Sequence, residues 1–314
     1  MIIEVKDLVK RYKKAKQNAV DSISFSVKEG ALFALLGPNG AGKTTTVSIL
    51  TTTLNKTSGT VKIAGYDLDK QQSLVRQNIG VIFQNPSLDK NLTAEENIRF
   101  HAVLYGLYSY KPFFSMMPKV YQTEVYGLAD VLGIKKDLFK PIKTFSGGMK
   151  RKLEIVRSLI HHPKVLFLDE PTSGLDPLSR KNLWQYLQDV RKKEKTTIFL
   201  TTHYLEEAEE ADMICIINHG KIVSYGTPQK IKQDLIDEYL LVDTTNRKAL
   251  REELESLKLS FTEEERFKIV LTKKTAQETI KEIETPLSYL RIHTPTIEEA
   301  YLEILGQEEE QEIS

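Results

Sequence analysis

A glycine-rich segment that follows an unbroken apolar run places the strongest constraint on the fold. The apolar run covers residues 31–36, and GPNGAGKTT begins at the next residue. Such a run is typical of a strand that is covered on both faces, as in a parallel sheet. The glycines allow backbone N–H groups to point at phosphate oxygens, and a helix beginning near Lys43 adds the positive end of its dipole. The sequence therefore predicts an α/β fold with a phosphate-binding loop between a strand and a helix.

The side chains of this loop predict a nucleotide site. Lys43 is expected to contact the β and γ phosphates, and the hydroxyl of Thr44 is expected to occupy a position beside Mg²⁺. A purely structural glycine-rich turn is the alternative, and the order strand, loop, helix argues against it. The loop residues predicted to line the nucleotide are Gly37, Pro38, Asn39, Gly40, Ala41, Gly42, Lys43, Thr44 and Thr45.

Two further apolar runs end in polar residues. Residues 165–168 are followed by Asp169 and Glu170, and residues 197–200 are followed within three positions by His203. In an open parallel sheet, ligands bind at the carboxyl ends of the strands. We expect Asp169 to hold Mg²⁺, directly or through water, and Glu170 to polarise an attacking water. An ordinary pair of acidic residues at a strand end is the alternative, and the phosphate loop favours nucleotide hydrolysis.

Composition excludes several classes of protein. The chain has 44 Lys plus Arg and 43 Asp plus Glu, so its overall charge predicts no nucleic-acid partner. The single cysteine, Cys215, lies in an apolar run and is interpreted as a buried hydrophobic residue of a protein from a reducing cytoplasm. We expect no signal peptide, because charges interrupt the first residues, and no run approaches the roughly 18 apolar residues of a membrane span.

The order of the predicted elements indicates two domains. Helical patterns dominate residues 86–162 and separate two parts of one sheet, and a capping box of Thr93 with Glu96 begins one of these helices. A Gly-Thr-Pro break at 226–228 ends the first domain. Alternating strand and helix patterns from about residue 237 predict a small α+β domain. The predicted domains are therefore 1–228, with the helical part at 86–162, and 237–314.

Six segments in a fixed order resemble the nucleotide-binding subunit of an ABC transporter over residues 1 to about 228. The segments are GPNGAGKTT, Gln84, SGGMKRK, VLFLDEP, SGLD and TTH. The resemblance implies a P-loop NTPase core of the ABC ATPase type, with an antiparallel β subdomain and a helical subdomain. It also implies that Tyr12 stacks on adenine, that Gln84 contacts Mg²⁺ and relays the nucleotide state to a membrane partner, and that His203 contacts the γ phosphate.

The resemblance also gives a role to TFSGGMKRK, residues 144–152. In this family two nucleotide-binding domains face each other head to tail, and the Ser-Gly-Gly of one closes over the ATP of the other. Ser146, Gly147 and Gly148 are therefore expected to serve the γ phosphate of a partner, and Asp176 of SGLD to lie at the same interface. The alternative for this stretch alone is a capped helix with a solvated Lys-Arg-Lys face.

Details of the sequence are similar to the daunorubicin-resistance-type exporter branch of the family. Phe145 stands where the family usually has leucine, Met149 stands where many members have glutamine, and TPTIEEAYLEILG at 294–306 resembles the closing segment of the branch. The resemblance implies an ATPase that forms a homodimer and drives export by a separate membrane subunit from the cytoplasmic face, with drug-like, peptide or lipid-like cargo. A soluble ATP-dependent switch and a non-catalytic interaction module are the alternatives.

The stretch YGLYSYKPFFSMMPKVY at 105–121 departs from the charged helix that is usual at this place in the family. Its aromatic and methionine side chains would form an interaction surface if they faced solvent. We interpret part of the stretch as a docking surface for the membrane subunit. A variant core of the helical part is the alternative.

Overall fold

The structure is a computed structural model of the 314-residue chain. It describes residues 1–83, 87–172, 175–202, 204–235, 238–271, 275–294 and 296–304. The chain divides into two compact units, Met1–Tyr225 and Gly226–Ser314. Among the described residues, no helix combines the length and apolar character that crossing a bilayer requires.

Strands and helices alternate through most of the first unit. Its strands are β1 Ile3–Lys10, β2 Val20–Val27, β3 Leu32–Leu36, β4 Ser58–Ile63, β5 Tyr66–Asp67, β6 Ile79–Ile82, β7 Val165–Asp169, β8 Thr197–Thr201, β9 Met213–Asn218 and β10 Lys221–Gly226. Its helices are α1 Lys43–Leu50, α2 Gln72–Asn78, α3 Ala94–Leu104, α4 Lys119–Val131, α5 Gly147–Leu159, α6 Pro177–Glu194 and α7 Leu205–Glu209.

A six-stranded sheet positions the phosphate loop. Its strand order is β10-β9-β3-β8-β7-β6, and β3 runs parallel to both β9 and β8. β7 is parallel to β8 and to β6, and Asp169 is paired with Thr201 at the carboxyl ends of β7 and β8. The three apolar runs predicted as strands are confirmed as β3, β7 and β8. Their carboxyl ends lie at one edge of the sheet, with β8 between the other two strands.

One hydrophobic core joins this sheet to a four-stranded antiparallel sheet of order β2-β1-β4-β5. The ring of Phe25 in β2 stacks on Phe33 in β3 at a centroid distance of 5.3 Å. Phe33 stacks on Phe199 in β8 at 5.0 Å, and Phe199 contacts Phe167 in β7 at 5.2 Å. Burying a phenylalanine side chain contributes about 1.5–3 kcal/mol. This row of rings holds the strands whose carboxyl ends form the candidate site.

Cys215 is buried in β9, next to β3. Burial raises the pKa of its thiol to about 12, because the thiolate is poorly solvated in an apolar core. The prediction that Cys215 is a buried residue of the core is confirmed.

The helical part contains α3, α4 and α5. The predicted capping box is present at the start of α3, where Glu96 N donates to Thr93 Oγ1 at 3.2 Å and Thr93 N donates to Glu96 Oε2 at 2.8 Å. Leu153 and Val156 of α5 are buried, as is Ile160 directly after its last residue. Burial of apolar side chains of this kind anchors a helix in its domain.

The aromatic stretch at 105–121 is divided between core and surface. Tyr121 and Met117 are buried, and the ring of Phe114 lies edge-on to Tyr121 at 5.9 Å. Phe113 and Tyr110 are exposed by 66% and 53% of their surfaces. The core interpretation is therefore correct for Tyr121 and Met117, and the docking interpretation stays a prediction for the exposed residues.

The second unit builds a separate antiparallel sheet with helices. Its elements are α8 Pro228–Leu235, β11 Tyr239–Asp243, α9 Arg247–Ser256, β12 Phe261–Glu263, β13 Phe267–Val270, α10 Ala276–Glu282, β14 Tyr289–His293 and a helix over 297–304. The strand order is β12-β13-β11-β14, and the buried core consists of Leu240, Val242, Leu250, Leu254, Phe267 and Ile269.

Candidate active site

The phosphate loop packs so closely against neighbouring backbone that two of its positions require glycine. A Cβ atom at Gly37 would lie 2.2 Å from the carbonyl oxygen of Ile217, and one at Gly42 would lie 2.4 Å from that of Ala19. Gly42 also has a φ of 107°, which side chains rarely adopt, and α1 begins at the next residue. The loop therefore holds its backbone close to the sheet while its N–H groups lead into a helix N-terminus.

Lys43 is buried between the loop and the acidic residues that end β7. Its Nζ donates to the carbonyl oxygens of Gly37 at 2.6 Å and Pro38 at 3.0 Å. Burial lowers the pKa of the Lys43 ammonium, and the charges of Glu170 and Asp169 oppose that shift. The structure thus brings together the lysine and both carboxylates predicted from the sequence, in an arrangement that suits a triphosphate with its positive counterions.

Asp169 is the last residue of β7, and only 4% of its surface is exposed. Its Oδ1 accepts a short hydrogen bond from Thr201 Oγ1. Burial raises the pKa of Asp169, the Thr201 bond lowers it, and the neighbouring Glu170 raises it further. The carboxylate of Asp169 and the exposed hydroxyl of Thr44 are oxygen donors of the kind that Mg²⁺ prefers. Within the described ranges, no group of three or more His, Cys, Asp or Glu could hold a metal ion.

Glu170 follows Asp169 in an unusual backbone conformation. Its φ is 49°, in the left-handed region that residues other than glycine seldom adopt. Its N–H donates to Thr201 O at 3.0 Å, and its side chain is half-buried. Strained conformations of this kind cluster at functional sites. The conformation is therefore consistent with the predicted role of Glu170.

Tyr12 and the loop residue Thr45 lie side by side. The Tyr12 hydroxyl is 3.3 Å from Thr45 Oγ1, and 45% of the tyrosine surface is exposed. The Lys10 ammonium lies 5.4 Å from the ring centroid. An exposed aromatic ring beside the loop has a face available for stacking on a base.

Ser146, Gly147 and Gly148, which we call the signature residues, lie at the start of α5, and Ser146 caps this helix. Ser146 Oγ accepts a hydrogen bond from Met149 N at 3.2 Å, and both Ser146 and Gly147 are exposed, whereas Gly148 is half-buried. Among the described residues, no hydrogen bond joins Ser146, Gly147 or Gly148 to residues 37–45. The start of α5 is therefore an exposed helix N-terminus that the loop of the same chain does not bind in the described part of the structure.

Asp176 caps the next helix in the same way. Its Oδ1 accepts from Ser179 N at 2.9 Å, and Pro177 occupies the first turn of α6. Hydrogen bonds from Ser179 hold the pKa of the Asp176 carboxyl below its ordinary value. Asp176 is exposed at the surface where α6 begins.

Two predicted site residues, Gln84 and His203, lie outside the described residues, as do Ser173 and Gly174. Their assigned roles stay predictions.

Sequence reasoning missed two residues that organise the strand ends. Thr201 binds both Asp169 and Glu170, as described above. Glu207 is buried, and its carboxylate accepts hydrogen bonds from Thr202 Oγ1 at 2.7 Å and Trp184 Nε1 at 3.3 Å. Polar residues at the end of an otherwise apolar strand were the only signal for Thr201.

Arg151 was also missed, because it lies in the basic run that was open to interpretation as a solvated face. The residue is 5% exposed, and its guanidinium donates to main-chain carbonyls of Asp169 and Glu170. The solvated-face alternative is therefore wrong for Arg151.

Comparison with protein-family models matches residues 20–173 to the ABC transporter family. The probable multidrug ABC transporter ATP-binding protein YbhF of Escherichia coli (strain K12) is 37% identical over 231 residues, which cover 74% of this chain and 38% of YbhF. The daunorubicin/doxorubicin resistance ATP-binding protein DrrA of Streptomyces peucetius is 38% identical, covering 74% of this chain and 67% of DrrA. The Nod factor export ATP-binding protein I of Burkholderia orbicola is 35% identical, and 80% of each chain is covered. The chain thus spans well under half the length of YbhF and most of the length of the other two.

Solved structures give the same result for the fold. An ATP-binding subunit of an ABC transporter is 31% identical with a TM-score of 0.67, and the match covers 74% of this chain and 93% of that subunit. The dimeric ATP-binding cassette MJ0796, bound to ADP and Pi, is 23% identical with a TM-score of 0.65, and 72% and 98% of the two chains are covered. The fold class predicted from the sequence is confirmed.

Proposed function

The chain belongs to the ABC transporter family of ATP-binding proteins, and from that premise we propose that it hydrolyses ATP to drive a separate membrane subunit. The observation that carries the proposal is the position of Lys43 between the phosphate loop and the carboxylates of Asp169 and Glu170. This arrangement places one cation and two acidic groups where a triphosphate would lie across adjacent strand ends.

Each residue of the site has a defined part in the proposed reaction. Lys43 and the loop N–H groups bind the β and γ phosphates, and Tyr12 stacks on adenine. Thr44, Asp169 and Gln84 would hold Mg²⁺, which would neutralise charge on the phosphates. Glu170 accepts the proton of a water that attacks the γ phosphorus, and the bond to the β-phosphate oxygen breaks, giving ADP and phosphate. His203 completes the contacts to the γ phosphate.

The exposed signature residues support a head-to-tail homodimer. Ser146, Gly147 and Gly148 form a helix N-terminus that makes no hydrogen bond to its own loop among the described residues, and such a terminus favours an anion. We place the γ phosphate bound by a second copy there, with Asp176 at the same interface. ATP binding would close the dimer, and hydrolysis would open it.

A groove beside the aromatic stretch supports docking of the membrane subunit. The groove encloses about 500 Å³ and is lined by Ser87, Asp89, Leu92, Asn97, Phe100, His101, Leu104 and Arg157. Leu104 lines the groove and is itself exposed, and the ring of Tyr110 stacks on the groove residue Phe100 at 5.8 Å. We call the exposed apolar residues of this stretch of the chain the apolar patch: Leu104, Leu107, Tyr110, Phe113 and Met116. Exposed apolar clusters of this kind mark interaction sites. The proposed location is the cytoplasmic face of the membrane, with residues 1–228 as the ATPase and 237–314 as an accessory domain.

The relatives favour export as the direction of transport. YbhF and DrrA are named for multidrug transport and drug resistance, and the Nod factor protein is named for export. We therefore propose export of a drug-like, peptide or lipid-like molecule, with the translocation path in the membrane subunit.

The test combines activity with identification of the partner. The purified chain should release phosphate from ATP, and Lys43→Ala should abolish release because it removes the contact to the β and γ phosphates. A tagged chain recovered from gently solubilised native membranes should carry a polytopic membrane protein in near-equal amount. Phosphate release together with recovery of only soluble proteins would replace export with a soluble ATP-dependent switch. No phosphate release in either preparation would leave a non-catalytic module.

A further inference from the structure

Arg151 joins α5 to the main chain around Glu170. Its Nη2 donates to the carbonyl oxygens of Asp169 at 2.9 Å and Glu170 at 3.0 Å. Its Nε donates to the carbonyl oxygen of Pro171 at 2.9 Å. One side chain therefore binds three consecutive carbonyl groups, with Glu170 in the middle.

The remaining donors of the guanidinium are also matched. Nη1 of Arg151 donates to Phe83 O and lies 3.5 Å from Glu154 Oε2. A guanidinium has five N–H donors, and five acceptors surround this one. Burial lowers the pKa of Arg151, and Glu154, Asp169 and Glu170 oppose that shift by their charge. Because a buried ion pair is weak evidence for a gain in stability, orientation of the bound segments explains this arrangement better.

The conformation of Glu170 needs such support. A residue other than glycine in the left-handed region costs on the order of 1–3 kcal/mol and persists only where its surroundings fix it. The N–H of Glu170 is fixed by Thr201 O at 3.0 Å. Its carbonyl group, and those of both neighbours, are fixed by Arg151.

We propose that Arg151 is a positioning residue that holds Glu170 in its left-handed conformation and so aims the carboxylate at the attacking water. The proposal rests on the proposed function. The same guanidinium binds Phe83, the residue before Gln84, and it belongs to the helix that begins with the signature residues. A movement of α5 would therefore displace the main chain at Glu170 directly, through Arg151, and would not require a movement of Lys43.

The experiment separates hydrolysis from nucleotide binding. Arg151→Met keeps the apolar stem and removes all five donors. We expect kcat for ATP to fall roughly 10²-fold, as for a small misplacement of a reacting group. The Kd for ATP, measured with a fluorescent analogue, should stay within about twofold, because the loop contacts are unchanged. In a Glu170→Gln background the same substitution should lower the rate no further, because its effect acts through the Glu170 carboxylate.

A matched control measures the general cost of losing a buried guanidinium. Arg99 is 3% exposed and lies on α3, and it binds the Glu95 carboxylate and Lys111 O. Arg99→Met should lower stability and leave kcat per folded molecule unchanged. If Arg151→Met does not fold, Arg151→Lys, which keeps the charge and fewer donors, should show the same fall in kcat at unchanged Kd.

Three results would overturn the positioning role in an active wild-type protein. The first is an unchanged kcat for the Arg151 variants. The second is a loss of ATP binding as large as the loss of kcat. The third is a further fall in kcat when Arg151→Met is added to Glu170→Gln. Wild-type protein without ATPase activity would instead overturn the proposed function.

Discussion

Two buried arginines in the helical part, Arg99 on α3 and Arg151 on α5, have different partners. Arg151 on α5 donates to main-chain carbonyls at the end of β7, whereas Arg99 on α3 pairs with the Glu95 carboxylate at 3.1 Å. Glu95 also accepts from the Tyr121 hydroxyl at 3.2 Å, and Arg99 donates to Lys111 O at 2.6 Å. Burial raises the pKa of Glu95, and Arg99 opposes that shift.

The different partners of Arg151 and Arg99 show which part of the structure each arginine orients. At the strand ends, the arginine fixes the backbone of a residue proposed to act in catalysis. In the helical part, Arg99 and Glu95 fix the loop that carries the apolar patch. We call residues 169–171, together with Thr201 and Arg151, the strand-end site. We call residues 105–121, together with Glu95 and Arg99, the aromatic region. Changes in the first should alter turnover, and changes in the second should alter stability or docking.

The largest expected effect is that of Glu170→Gln in the strand-end site. It should lower kcat by about 10²- to 10⁴-fold, the range typical of losing a general base, and leave ATP binding intact. Phosphate release and the Kd for an ATP analogue measure the two quantities. An unchanged kcat would remove Glu170 from that role and with it the proposed contrast between the regions.

In the aromatic region, neighbouring phenylalanines should give opposite results. Phe114 contacts the rings of Tyr121, Tyr126 and Phe139 edge-on at 5.2–5.9 Å. Phe114→Ser should therefore lower the free energy of unfolding by about 2 kcal/mol, somewhat less than for a fully buried phenylalanine. Phe113→Ser, at a position with 66% exposure, should change it by less than about 0.5 kcal/mol.

Phe113→Ser also tests docking of the membrane subunit. Phe113→Ser should weaken recovery of the membrane protein while the isolated chain stays folded and hydrolyses ATP. Full recovery with Phe113→Ser would remove the apolar patch from the docking surface.

Two helix caps, Ser146 on α5 and Thr93 on α3, allow a comparison of two helices at a similar expected loss of stability. Ser146→Ala and Thr93→Ala each remove a side chain that accepts a hydrogen bond from the helix backbone. Each should lower stability by about 1 kcal/mol. Only Ser146→Ala should also weaken ATP-dependent dimerisation, measured by light scattering in a Glu170→Gln background. Equal dimerisation of both variants would argue against the head-to-tail site.

The smallest effect concerns pH. His162 lies between Glu124 on α4 and Glu194 on α6, with Nδ1 3.2 Å from Glu194 Oε2. Burial lowers the pKa of His162, but hydrogen bonds and charges from Glu194 and Glu124 outweigh it and raise the pKa above 6.5. Protonated His162 therefore stabilises the folded state fully below pH 6.5, and this contribution is lost as the pH rises through the folded-state pKa of His162.

The size of this effect should be below about 1 kcal/mol, because the imidazole is largely exposed. Unfolding free energies at about pH 5.5 and about pH 8.5 measure it. His162→Gln should remove the difference in unfolding free energy between the two pH values. Tyr186 on α6 should not contribute to it, because burial raises the pKa of its hydroxyl. A difference that survives in His162→Gln would assign it to other groups.

The sequence was sufficient for the parts of the site that depend on local order. Lys43, Asp169 and Glu170 each come after an apolar run, so the runs located them and the parallel sheet brought them together. Arg151 could not be found in this way. Its acceptors are main-chain carbonyls more than fifteen residues away, and a basic residue within a run of charges resembles a solvated one.

The aromatic region shows the same limit. Its composition is compatible with a surface or with a core, and periodicity is weak across a segment that contains Pro112 and Pro118. The division between Phe113 and Phe114 depends on how α4 packs, which is set by contacts distant in the chain. The sequence therefore predicted the helices, the strands and the acidic residues at the strand ends. It did not predict which individual side chains of the aromatic region are buried and which are exposed.

The burial of Cys215 has a practical consequence. It is the single cysteine of the chain, and its thiol has a pKa of about 12, so thiol-directed reagents will not modify it under mild conditions. A cysteine introduced at the exposed position of Phe113 would be the one reactive thiol of the molecule. A spectroscopic label at that position could then report docking of the membrane subunit, with no contribution from the native cysteine.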